Sequence, residues 1–295
     1  GTIFVDSNSS FVFINHQVSL RAGDTLRGKH QFEIFAADCG VIIDGYRADN
    51  QIFNCEKYAK DCEDQKQTMD YCGVGAHHQN AQAERAIRTI MSIARTMMIH
   101  SGIYWPDVAD STLWPMAVKH ACFLYNHVPS HITGLSPSDI FTRTRWPQRK
   151  FLDMHVWGCP VYVLEKALQD GKKIPKWRPR SSRSMYMGVS PYHASSVPLV
   201  LSTSTGAITP QFHIVFDDWF ATIGSDHTDV PDFQSKEWYK MFGESRYQYM
   251  EDKDSEEDDH HSDLVDTLKN ELRRNEVSEA IEKQNPPVRL DVDEP

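Results

Sequence analysis

The stretch from Gly73 to His100, GVGAHHQNAQAERAIRTIMSIARTMMIH, joins a glycine-bearing loop with two adjacent histidines to the clearest helical pattern in the chain. Ala83, Ile87, Ile90, Met91, Ala94, Met97 and Met98 recur at helical spacing, which predicts that they form its buried side. Glu84, Arg88, Ser92 and Arg95 fall on another side, with Arg85 next to Glu84 in the chain. Asn80 has the chemistry of an N-cap. A carboxylate and three guanidiniums thus share the exposed part of one helix, just after His77, Gln79 and Asn80.

Towards the amino terminus, TIFVD (2–6) and SFVFINHQVSL (10–20) read as strands joined by a turn at Asp6-Ser7-Asn8-Ser9. Gly23-Asp24-Thr25 offers helix-starting chemistry, and Leu26, Phe32, Ile34, Phe35 and Ala36 supply an apolar side for a helix ending near Gly40. GVIIDGYRADN (40–50) reads as a strand of the buried, β-branched kind. QIFNCEKYAKDCEDQ (51–65) reads as a helix and QTMDYCGV (67–74) as a short strand. The order β-β-α-β-α-β-α predicts an α/β fold with a mixed sheet.

Beyond the opening stretch, LWPMAVKHACFLYNHVP (113–129) predicts a helix that Pro129 stops. The pattern then changes to short strands, VYVL (161–164), SMYMGVS (184–190), VPLVLS (197–202) and AITPQFHIVF (207–216). Turns at Asp170-Gly171 and Ser204-Thr205-Gly206 separate them, which predicts a small all-β module, a barrel or sandwich. The organisation expected is a core over 1–150, a β module over 151–224 and a mostly disordered acidic tail over 225–295. In that tail Leu264, Leu268 and Leu272 are spaced for one short helix.

Of the 295 residues, 40% are hydrophobic and 24% charged, and the modest apolar share agrees with a disordered segment. No apolar run reaches membrane-spanning length and no signal-peptide pattern opens the chain, so neither a membrane nor secretion is expected. Thr2-Ile3-Phe4-Val5 already reads as a strand, so the chain is expected to begin inside a domain. Cys39, Cys55, Cys62, Cys72, Cys122 and Cys159 form no CxxC pair and read as free buried thiols; with His77 and His78 they fit no structural zinc spacing. The net charge of −10 hides a division. Residues 1–150 are neutral and 225–295 carry −12, whereas 145–183 hold ten basic and three acidic groups.

Two carboxylates are placed for chemistry. Asp49 closes a strand and Glu84 opens a helix, and such ends meet at the carboxyl edge of an α/β sheet. Carboxylates held close together need cations to stay ionised, and hard oxygen donors suit Mg²⁺ or Mn²⁺. Two such ions activate a nucleophile and stabilise the leaving oxygen of a phosphodiester. Arg88 and Arg95 would contact phosphates beside them. The plainer readings are a turn aspartate, a helix-start glutamate favoured by the dipole, and a Glu84–Arg88 pair on a solvated face.

These residues carry a resemblance. YRADN (46–50) and GVGAHHQNAQAER (73–85) resemble motifs of the integrase core of copia-type LTR retrotransposons. ARTMMIHSGIYWP (94–106), LWPMAVKHACFLYNHVP, GLSPSDIF (134–141), VWGCPVYVLE (156–165), GKKIPKWRPRSSRSMYMGVSPYHASSVPLVL (171–201) and TGAITPQFHIVFDDWF (205–220) follow in family order. The resemblance covers residues 1 to about 224. It implies an RNase H-like mixed sheet with flanking helices and a DDE-type site that uses Mg²⁺ or Mn²⁺, with Asp49 and Glu84 as catalytic and metal-holding residues. It also implies DNA integration: processing of retroelement ends and their transfer into target DNA, by a homo-oligomer, in the nucleus after a cytoplasmic particle stage, with no small-molecule substrate. The family's first catalytic Asp lies upstream of the strand matching TIFVD, and so does its zinc module. The chain is therefore expected to be amino-terminally truncated and inactive alone, with Asp6 in a turn rather than in the missing position. Ala81 stands where many relatives carry Gly, which stiffens the loop feeding the helix.

Lys176, Trp177, Arg178 and Arg180, in KKIPKWRPRSSR (172–183), fit contact with a nucleic-acid backbone and its bases. The other reading of this segment is a cationic linker with a Trp anchored in the core. Two further functions compete: an inactive remnant that binds nucleic acid or self-associates, and a ribonuclease H proper, against which the basic β module and the ordered motifs both argue.

Overall fold

The computed structural model describes residues 1–19, 21–48, 53, 55–73, 80–145, 154–194, 197–224 and 235–236. Asp49, His77, Gln79 and the acidic tail with Leu264, Leu268 and Leu272 lie outside the described residues.

The first half alternates strands and helices: β1 (Thr2–Val5), β2 (Val12–Asn15), α1 (Ala22–Asp38), β3 (Gly45–Ala48), α2 (Glu56–Asp64), β4 (Thr68–Tyr71) and α3 (Ala81–Tyr104). β1 and β2 form an antiparallel hairpin, Val5 opposite Val12. β3 and β4 pair in parallel, Ala48 opposite Tyr71. Both kinds of pairing of a mixed α/β core are present, in two separate two-stranded sheets. α1 packs on the hairpin through aromatic rings, Phe4 stacking on Phe32 with centroids 5.0 Å apart and Phe11 on Phe35 at 5.5 Å.

Two sequence expectations need correction here. Ile34 is 64% exposed, because the buried face of α1 runs through Thr25, Gly28, Lys29, Phe32 and Ala36. The run from Val41 to Ile43 is not strand, and Ile42 is 87% exposed; only Gly45–Ala48 pairs with β4. A short apolar run does not fix its own burial, which depends on what packs over it.

α4 (Trp114–His127) lies against α3 and the hairpin. The Asn126 side chain accepts from Val12 N at 2.9 Å and donates to Val12 O at 2.7 Å. A side-chain amide thus takes the place of a neighbouring strand along β2. α5 (Pro137–Thr142) follows, its start held by a reciprocal Ser136–Asp139 capping box.

β5 (Pro160–Leu164), α6 (Lys166–Gln169), β6 (Ser181–Val189), β7 (Pro198–Ser202), β8 (Ile208–Pro210) and β9 (Ile214–Phe216) complete the described strands and α-helices. The strands form one antiparallel sheet in the order β8-β7-β6-β5-β9. Met185, Met187 and Leu201 from this sheet join Ile90, Ala94, Met98, Ala117 and Ala121 in one core cluster. Packing is therefore continuous between α3, α4 and the sheet, and Trp105 Nε1 reinforces it by donating to Gly158 O at 2.8 Å.

Candidate nucleic-acid interface

α3 buries Ala86, Ile90, Ala94, Met98, Ser101 and Gly102. Ala83, Ile87, Met91 and Met97 are half-buried, so the stripe is rotated slightly from the expected one and centres on small residues that let α4 come close. At 3.6 residues per turn, Glu84, Arg88 and Arg95 fall within about 40° of one another, along one border of this stripe. Glu84 and Arg88 are half-buried and Arg95 is exposed. Arg85 faces outward near α4, where burial raises the Tyr125 phenol and the Arg85 charge offsets part of that rise. Asn80 occupies the N-cap position of α3, but its side chain makes no capping bond.

β3 and β4 run parallel, and their paired last residues, Ala48 and Tyr71, stand at one sheet edge. In the chain Ala48 is followed by Asp49, and Tyr71 leads towards the start of α3. The pairing of Asp49 with Glu84, and the contributions of His77 and Gln79, lie outside the described residues.

Asp6 is described and is engaged elsewhere. Its carboxylate accepts from Ser9 N at 2.7 Å and from Ser9 Oγ at 2.5 Å, closing the β1–β2 turn. Gln82 holds that turn to α3, donating to Asp6 O and Ser7 O, both at 3.3 Å, and to Ser10 Oγ at 3.2 Å. Gln82 projects from α3 about 160° away from Glu84. Asp6 therefore sits in the turn, as the sequence suggests, on the far side of the helix from Glu84.

The segment 172–180 connects α6 to β6. Lys172, Lys173, Lys176, Arg178 and Arg180 are all exposed, and Trp177 is 90% exposed. Trp177 does not anchor the core; its ring lies beneath the Lys176 ammonium, 5.5 Å from the centroid. Among the described residues Lys172 reaches Asp170 at 3.7 Å, and no carboxylate pairs with Lys173, Lys176, Arg178 or Arg180.

A second charged cluster was not evident from sequence. Lys29, fully buried, donates to Asp61 at 2.6 Å and lies 2.8 Å from Glu33, while His30 meets Asp61 at 2.8 Å. Tyr46 and Gln67 also donate to Glu33. Burial pulls the Lys29 ammonium down, but the bonds to Asp61 and Glu33 outweigh it and leave it raised. Burial pushes Asp61 up, and Lys29 and His30 bring it below the usual carboxylate range. His30, Glu33 and Asp61 converge closely enough to ligate a metal, yet the Lys29 ammonium already supplies the cation between the two carboxylates. The Lys29–Glu33 spacing is readable as an i,i+4 pair; Asp61, from α2, is not.

No protein-family model matches the chain. Among solved structures it is similar to the HTLV-2 integrase catalytic core domain in complex with magnesium in its trimeric form. That likeness has 14% identity over 47% of this chain and 82% of the other, at a TM-score of 0.37. It is also similar to the simian T-cell lymphotropic virus intasome in complex with PP2A regulatory subunit B56 gamma, at 13% identity over 72% of this chain and 69% of the other, with a TM-score of 0.40. Both likenesses are distant.

Proposed function

We propose that this chain is the integrase region of a copia-type retrotransposon, a polynucleotidyl transferase that acts on retroelement ends and target DNA as a homo-oligomer in the nucleus. The observation that supports it best is the exposed loop 172–180, where an uncovered Trp177 stands beside Lys173, Lys176, Arg178 and Arg180, cations that pair with no carboxylate among the described residues. Such a surface suits a polyanion with stackable bases. The border of α3 adds a half-buried carboxylate in line with two guanidiniums, which suits phosphate held beside a reacting centre.

The oxygen donors of Glu84 and Asp49 match the chemistry of Mg²⁺ or Mn²⁺, and these two residues would hold such ions. When bound, the ions supply nucleophile activation and leaving-group stabilisation. Arg88 and Arg95 orient the DNA backbone, and the loop 172–180 supplies affinity away from the reacting atoms.

A second reading, that the chain as it stands binds DNA without joining it, is favoured by the engagement of Asp6 in its own turn. A joining assay with labelled retroelement ends and Mg²⁺ or Mn²⁺ separates the two. Joining that disappears in both Asp49→Asn and Glu84→Gln supports the transferase. DNA binding without joining supports the second reading, and neither binding nor joining overturns both.

A further inference from the structure

α3 begins without a cap of its own. Asn80 stands at the N-cap position but its side chain makes no capping bond, and Ala86 is the first residue of the helix to be buried. Glu84 lies in that uncapped first turn. A helix start whose N–H groups lack partners frays unless something outside the helix holds it.

The hairpin supplies the hold. Val12 belongs to the same core cluster as Ala86 and Ile90, Ile3 and Val5 pack against that cluster, and Asn126 clamps Val12. The turn is closed by its own bonds, Asp6 N donating to Phe11 O and Ser10 N to Asp6 O, both at 2.9 Å. Ser10 takes the left-handed conformation there, at φ 58°. The Asp6 carboxylate, bonded to Ser9, completes the closure. The carbonyls of Asp6 and Ser7 and the hydroxyl of Ser10 then stand where the Gln82 amide reaches them. Gln82 Nε2 carries two hydrogens, which these acceptors share.

We propose that Gln82 is a positioning residue for Glu84: through it the β1–β2 turn sets the place of the first turn of α3 and, with it, the direction of the Glu84 carboxylate. The inference rests on the reading of Glu84 as a metal-holding group. Gln82 projects about 160° away from Glu84 and acts through the helix backbone. Asp6 acts at one further remove, by shaping the turn that Gln82 grips.

Mn²⁺ titration of the full chain, followed by electron paramagnetic resonance, tests this. The acidic residues 225–295 attract Mn²⁺ as well, so the quantity read in each background is the component that Glu84→Gln removes. Gln82→Met keeps the length and helix propensity of the side chain but cannot donate. It is expected to weaken the Glu84-dependent component about three- to fivefold, the worth of one modest hydrogen bond. Hydrogen exchange of the amides of Glu84, Arg85 and Ala86 should quicken by a similar factor, while the melting temperature stays near that of the parent. Asp6→Ala is expected to act alike, and the double variant Asp6→Ala/Gln82→Met to be no weaker than either single one, because both break one path. A loss from Asp6→Ala that persists in full on top of Gln82→Met would make Asp6 a ligand in its own right and overturn the proposal. An unchanged Glu84-dependent component in Gln82→Met overturns it too and leaves the metal reading standing, whereas no such component in the parent overturns both.

Discussion

Lys29 and Lys176 bring the same ammonium into opposite settings. Lys29 is fully enclosed between Glu33 and Asp61 and ties α1 to α2. Lys176 stands in water over an exposed Trp177 with no carboxylate beside it among the described residues. A charge buried with its counter-ions is committed to the fold, and removing it leaves those counter-ions poorly solvated. A charge left over an aromatic ring at the surface adds little to stability and remains available to a polyanion. Basic residues in this chain therefore divide by environment into those that hold the fold and those open to a partner.

The sharpest way to break the comparison is Lys29→Met. It leaves two part-buried carboxylates without their cation and is expected to cost about 3 kcal/mol in chemical denaturation, with DNA affinity unchanged. An unaltered unfolding midpoint would show that the network is not what ties the two helices. Its pH window follows from the shifts. Asp61 sits below its ordinary 3.8, so its contribution is present above that value and fades as pH falls through the lower folded pKa. Lys29 sits above its ordinary 10.5, so its contribution is present below that value and fades as pH rises through the higher folded pKa.

His120 extends the contrast, being a buried base with no counter-ion among the described residues. Its folded value is about 4 against an ordinary 6.5, so between those pH values the unfolded chain binds a proton that the folded chain refuses. Stability then rises with pH across that window, by about 2–3 kcal/mol at most from this group. His120→Leu is expected to flatten the slope of unfolding free energy between pH 4.5 and 6.5, measured by denaturant titration at several pH values. An equal slope in the variant would place the acid sensitivity elsewhere.

For the exposed setting, Lys176, Arg178 and Arg180 changed together to Ala are expected to weaken DNA binding at least tenfold at low salt. The log–log salt dependence should become shallower by up to about 3, with the melting temperature unchanged. Fluorescence anisotropy across a salt series reads both quantities. In the same assay deletion of residues 225–295, which carry a net charge of −12, is expected to strengthen binding by removing a competitor for the cations. The smallest effect expected is that of Trp177→Ala, about 1 kcal/mol of affinity for single-stranded DNA with an unchanged salt slope, since stacking releases no counterions. A change in slope would mean that Trp177 acts by placing Lys176.

What the sequence disclosed follows the strength of its periodic signals. α3 and α4 are long enough for their apolar spacing to repeat several times, and both lie where the pattern places them. The alignment of Glu84, Arg88 and Arg95 was readable for the same reason. Ile42 and Ile34 were misjudged because a few apolar residues in a row do not reveal which face another element covers. The partnership of Lys29 with Asp61 joins positions 32 apart and leaves no local trace. The exposure of Trp177 was equally hidden, since a Trp among basic residues reads as well for an anchor as for a contact.

The amide of Asn126 also sets a direction. With both backbone groups of Val12 engaged by a side chain, β2 is sealed at that point on its outer border. β1 has β2 on one side and no further strand among the described residues on the other. A single residue of α4 thus caps the outer border of the hairpin at Val12, and Asn126→Leu would leave the two backbone groups of Val12 without that partner.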